Sequence, residues 1–153
     1  MQIVAQAQAI TREANLAAGV SSESTTGSEN CLERDKLRAR EDEEETAFED
    51  GLRKKRAGQV PIKLPREARK YGVQANFAVE DKRFADAVDR YADALKVSPW
   101  WPQGYYNRAL ILGKIRCLSE AMRDMKRYLQ LAPQAADAEQ AQDKIDAWES
   151  APR

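Results

Sequence analysis

The sequence predicts an all-α fold, a solenoid of antiparallel helical hairpins, with an N-terminal half that is largely disordered or loosely helical. Three observations carry this expectation. The stretch from Pro65 to Trp148 matches itself at an offset of 34 residues: Tyr71 returns as Tyr105, Ala75 as Ala109, Ala87 as Ala121, Leu95 as Leu129 and Pro99 as Pro133. A fixed period in this range marks stacked hairpins, each burying its apolar face on its neighbours. Within each period apolar residues recur at helical spacing. Charged residues make up 33% of the chain and glycine only 7 positions, which suits helices with solvated faces and argues against sheet.

Residues 1–20 place Ile3, Ala7, Ile10, Ala14 and Ala17 on one helical face, so this stretch reads as a short amphipathic helix or, equally, as a frayed terminus. It lacks a basic start and is diluted by Gln2, Gln6 and Gln8, which excludes a secretory signal and a membrane span. Residues 21–30, SSESTTGSEN, form a flexible linker. Residues 31–64 are a charged segment, helical or disordered. From Cys31 to Gly58 there are 9 acidic and 8 basic residues among 28, which favours a solvated helix with i,i+4 ion pairs, interrupted or ended near Gly51 and able to bury little. The basic run Arg53–Arg56 reads as a solvated helix end balanced by Glu41–Glu45 rather than as a nucleic-acid contact.

The helical domain spans residues 65–150. Pro65 suits a helix start, since its missing N–H would have no partner there, and Arg66–Val79 holds no further proline. After the polar break Glu80–Lys82, a second helix carries Phe84, Ala87, Val88, Tyr91, Ala94 and Leu95, and Ser98 and Pro99 end it. The cycle repeats from Pro102 to about Lys114 and from Leu118 to Leu131, where Pro133 ends it. A helix over 135–149 then sets Ala138, Ala141, Ile145 and Trp148 on a narrow stripe, as expected of a cap on a terminal repeat.

Ala87, Tyr91, Ala94 and Pro99, at this spacing and period, resemble the tetratricopeptide repeat. Ala121, Met125, Tyr128 and Pro133 keep the spacing more loosely, with Met in place of an aromatic and the bulky Tyr128 where a small residue is usual, so helix packing there must be altered. Tyr71 and Tyr105 hold the place of the family's early aromatic. The resemblance assigns repeats to 68–101 and 102–135 and covers about 85 of the 153 residues. It implies a superhelix whose first helices line a concave groove for a peptide or partner helix. The groove residues would be Arg69, Val73, Asn76, Val79 and Glu80, with Gln103, Tyr106, Asn107, Leu110 and Lys114. Asn76 and Asn107 stand out, because an amide side chain offers the donor and the acceptor that a peptide backbone needs. They also match two members of the family's carboxylate clamp. Gly72, Asp137 and Ala141 stand where its basic members would, so capture of a C-terminal carboxylate is not expected. Among the aromatics, Tyr106 and one of Trp100 and Trp101 are expected to stay partly exposed as interface anchors.

Composition narrows function further. Lys plus Arg and Asp plus Glu each number 25, so no global field draws the chain to nucleic acid or membrane. Histidine is absent, which removes Ser/His and Cys/His catalysis and most zinc sites, so no enzyme activity, metal or cofactor is expected. Cys31 and Cys117 read as reduced thiols, and hence as a cytoplasmic setting. Two hairpins fall short of the ~3 repeats that sustain an isolated solenoid. The open face of the first needs a cover: the helix over 1–20, the charged helix Cys31–Arg56, a second copy in a homodimer, or a partner. The expected role is a non-catalytic scaffold for protein–protein interaction; a structural or self-associating subunit with no groove ligand is the alternative.

Overall fold

The computed structural model describes residues 34–152, with side chains from residue 41, so the expected helix over 1–20, the linker over 21–30 and Cys31 lie outside the described residues. Six α-helices follow in order: α1 Arg34–Arg56, α2 Arg66–Glu80, α3 Phe84–Val97, α4 Pro102–Lys114, α5 Leu118–Leu131 and α6 Ala138–Ser150. No strand occurs among the described residues. Each helix from α2 onward packs chiefly on the next one in the chain, and α1 lies against α5.

The helix boundaries follow from local chemistry. Ser98 and Ala132 each precede a proline, whose ring disfavours the helical region, and both sit at extended φ values of −136° and −137°. α3 and α5 therefore stop one residue earlier. The last helix starts three residues later than expected, because Ala132–Asp137 forms turns in which the Ala135 N–H donates to the Ala132 carbonyl and the Ala138 N–H to the Ala135 carbonyl.

The 34-residue repeat is visible in the turns themselves. After α2 the Lys82 N–H donates to the Val79 carbonyl and the Arg83 N–H to that of Ala78; after α4 the Arg116 and Cys117 N–H groups donate to Gly113 and Leu112 in the same pattern. The pivots, Lys82 and Arg116, are left-handed at φ 59° and 66°. This is the helix stop in which one left-handed residue lets two N–H groups fold back on orphan carbonyls.

Alanines form the seams between helices: Ala68, Ala75, Ala87, Ala94, Ala109 and Ala121 are fully buried. Gly104 extends the seam, since a Cβ there would lie 2.7 Å from Trp101 Cε3 and 2.8 Å from Leu95 Cδ2. Tyr128, at the position that Ala94 holds one period earlier, is accommodated by a tyrosine pair: its ring centroid lies 4.9 Å from that of Tyr106, and its hydroxyl donates to Asp137.

Two expectations for the charged segment are overturned. α1 is neither interrupted nor ended at Gly51. It runs on to Arg56 and stops at Gly58, a left-handed glycine at φ 69° whose N–H and that of Gln59 fold back on Lys55 and Lys54. Gly51 serves close approach instead: a Cβ there would lie 3.1 Å from the Pro99 carbonyl carbon. Nor is α1 merely solvated, because Phe48 is only 2% exposed. Cys117 is likewise not a free thiol but disulfide-bonded, its partner lying outside the described residues. That removes the ground for expecting a reducing compartment. No described helix is long and apolar enough to cross a membrane.

Candidate functional site

The residues expected to line a groove divide between solvent and core. On α2, Arg69, Val73 and Asn76 are half-buried and Glu80 is exposed, while Val79 is buried. On α4, Gln103 and Lys114 are half-buried, and the Lys114 ammonium stands 4.3 Å from the Phe84 ring centroid. Tyr106, Asn107 and Leu110 are buried. The expectation that Tyr106 stays partly exposed is therefore corrected: its ring is taken up by Tyr128. Trp100 is half-buried and Trp101 buried under Gly72 and Gly104. The Asn107 amide donates to the Tyr91 hydroxyl at 3.2 Å, so it joins the two hairpins rather than facing outward.

A second constellation escaped sequence reasoning. Arg108 on α4 and Asp124 and Arg127 on α5 are all buried. Arg108 grips Asp124 with two parallel bonds, Nε to Oδ2 at 2.6 Å and Nη2 to Oδ1 at 2.8 Å. This fork is the strongest pairing geometry available to a carboxylate. Arg127 Nη1 reaches the same Asp124 Oδ1 at 3.4 Å. Two guanidiniums thus share one carboxylate, and the missing charge comes from α1. Arg108 Nη2 donates to Glu44 Oε2 at 3.2 Å, Arg127 Nη2 to Glu45 Oε2 at 2.7 Å, and Arg123 Nη1 pairs with Glu41 Oε1 at 2.8 Å.

Aromatic rings complete the contact. Phe48 stands edge-on to Tyr105 at 5.5 Å, and the Arg127 guanidinium lies 5.5 Å from the Phe48 ring centroid and 5.8 Å from that of Tyr105. Glu41, Glu44 and Glu45 are therefore not the counter-charge of the basic run at the C-terminus of α1. Arg53 and Lys54 pair with Asp50 instead, and the run also faces the helix's negative end.

Burial alone would raise the Glu44 carboxyl, but Arg108 and Arg127 outweigh it and hold Glu44 below its ordinary value of 4.5. Burial would lower Arg108, yet Asp124 and Glu44 drive it up. The phenol of Tyr105 is pushed up chiefly by burial. Arg108 thus stays charged in a buried place where carboxylates stand in for water. Chemically the arrangement recognises an acidic helix. No group of His, Cys, Asp and Glu able to hold a metal ion occurs among the described residues.

The signal for this site was present in α4. Arg108 interrupts the apolar run from Tyr105 to Leu112, and a charge on a buried helix requires a partner. No protein-family model matches the chain, and neither a curated protein nor a solved structure matches it.

Proposed function

We propose that the chain is a non-catalytic protein–protein interaction module, a short solenoid of two tetratricopeptide-like hairpins (α2–α3 and α4–α5) capped by α6, that takes a peptide or partner helix on the groove face of α2. The observation that carries the reading is a difference between equivalent positions. Val73, Asn76 and Phe77 remain half-buried or exposed, whereas their counterparts 34 residues on, Asn107, Leu110 and Ile111, are buried. The proposed groove is therefore limited to the positions left accessible, Arg69, Val73, Asn76 and Glu80 on α2 and Gln103 and Lys114 on α4. Asn76 offers a backbone-like donor and acceptor there. A displayed peptide library panned on the full chain tests this. Enriched peptides should lose binding to an Asn76→Ala/Glu80→Lys variant; no enrichment, or enrichment indifferent to that variant, would remove the reading.

Phe77 favours a second reading, a self-associating subunit. It is 61% exposed, on a helix end that would be covered if another unit preceded it.

A further inference from the structure

The basic run at the end of α1 lacks the counter-charges that its own helix carries. Glu41, Glu44 and Glu45 are engaged by Arg123, Arg108 and Arg127, and Asp50 is shared between Arg53 and Lys54. Nor does the run stand alone. Residues 53–70, which cover the end of α1, the connector and the start of α2, hold eight of the chain's 25 basic residues and one of its 25 acidic ones, Glu67. Arg56, Lys63, Arg66 and Lys70 are exposed and form no ion pair among the described residues. With only Glu49, Asp50 and Glu67 as neighbouring acids in sequence, a chain that is neutral as a whole is positive at this place. Helix stability accounts for the cations at the negative end of α1, but not for Arg66 at the positive end of α2, where a carboxylate is favoured.

The connector adds an apolar tip to this charge. Ile62 is 108% exposed, so it stands clear of its neighbours, between Pro61 and Lys63, which are exposed as well. The loop that carries it is pinned, because Leu52 and Leu64 pack against the core on either side. Pro61 and Pro65 stiffen the backbone and hold Val60 and Leu64 extended. An isoleucine displayed in water on a pinned loop contributes nothing to the fold. We propose that this end of the molecule docks on the surface of an anionic lipid bilayer, with Ile62 entering the boundary between headgroups and acyl chains and Arg56, Lys63, Arg66 and Lys70 facing the lipid phosphates and carboxylates. Two features favour a bilayer over another polyanion. The tip is convex, whereas an acidic peptide needs a cleft to lie in. A nucleic acid answers the charge, but its backbone offers nothing to an aliphatic side chain and its bases are stacked on by aromatic ones. A bilayer takes both, and anchoring on it needs both an apolar insertion and a basic patch. No described helix is long and apolar enough to cross a membrane, so the association is interfacial and reversible.

The test floats the full chain with vesicles of phosphatidylcholine alone and of phosphatidylcholine with about one third phosphatidylserine, at low and at high salt. Binding to the anionic vesicles should be at least about ten-fold stronger than to the neutral ones, and salt should weaken it. Ile62→Ser keeps every charge and should weaken it about ten-fold or more. Lys63→Glu/Lys70→Glu keeps Ile62 and should weaken it at least about a hundred-fold. All three side chains are exposed, so these variants leave the core untouched. No binding to vesicles, binding indifferent to phosphatidylserine, or binding that Ile62→Ser leaves unchanged would overturn the proposal. A short duplex DNA run beside the vesicles separates a general polyanion contact: if it binds as tightly as the anionic vesicles and Ile62→Ser weakens neither, the surface is a nucleic-acid contact and the proposal falls.

Discussion

The two hairpins are built on one 34-residue pattern, yet they occupy opposite physical situations. In the second, Tyr105, Arg108, Asp124 and Arg127 lie under α1, and Ile111 is 1% exposed in the core. In the first, the equivalent positions are Tyr71, Gln74, Arg90, Asp93 and Phe77. Among the described residues none of these five forms an ion pair or ring contact with α1. Arg90 and Asp93 form an ordinary surface pair at 3.3 Å, both partly solvated. The charges at these positions are inverted between the units, Arg90 and Asp93 becoming Asp124 and Arg127. The same backbone positions thus serve solvation in one unit and specific docking in the other, and what differs is whether a further helix covers them.

The largest effect that could break this comparison comes from the charges. Asp124→Ala strips two buried guanidiniums of their shared carboxylate and is expected to cost about 3–5 kcal/mol of stability, whereas Arg90→Ala should stay within about 0.5 kcal/mol. Urea unfolding of both variants measures the difference. Equal costs would mean that the second hairpin's cluster is no more than a surface pair.

Next come the apolar ends. Ile111→Ala opens a cavity in the core and is expected to cost about 2–5 kcal/mol. Phe77→Ala removes a largely exposed ring and should be near neutral in the same assay. If Phe77→Ala proves as costly as Ile111→Ala, Phe77 is covered in solution, and repeating the measurement at several concentrations tells whether a second copy covers it.

A smaller effect follows from Glu44. Its carboxyl titrates lower in the folded chain than in the unfolded one, so at acid pH the unfolded state binds more protons. The stabilisation it confers is complete above pH 4.5 and is lost as pH falls through its lowered value. Hydrogen exchange through residues 41–52, corrected for the chemical rate at each pH, should therefore show α1 loosening in acid. With no histidine in the chain, no such change is expected between pH 6 and 8.

Sequence patterning exposed what is local and periodic. The limits of α4 and α5, the proline-terminated stops and the alanine seams all follow from residues within one turn or one period of each other. The docking of α1 did not. Glu41–Glu45 looks the same to a pattern reader whether it meets water or Arg108, Arg123 and Arg127, whose positions are 64 to 82 residues away along the chain. Asn107 and Tyr106 misled for a related reason. Their helix positions match outward-facing ones in the resembling family, but Tyr91 and Tyr128 lie close enough to claim them, and the volume that brings Tyr128 there is visible only as a departure from the family's small residue.

The smallest effect is also the one in which the two units should agree. Lys82 and Arg116 are both held left-handed, a conformation that burdens any residue with a Cβ. Glycine at either position relieves that strain, at the cost of greater freedom in the unfolded chain, and a gain of about 0.5–1 kcal/mol is expected for Lys82→Gly. Arg116→Gly should gain somewhat less, since Arg116 Nη2 also donates to the Pro152 carbonyl at 3.2 Å. Thermal unfolding of the two variants measures both. A gain at one turn and a loss of similar size at the other would show that the stops after α2 and α4 are not the same structure, and the 34-residue equivalence on which the other comparisons stand would lose its backbone counterpart.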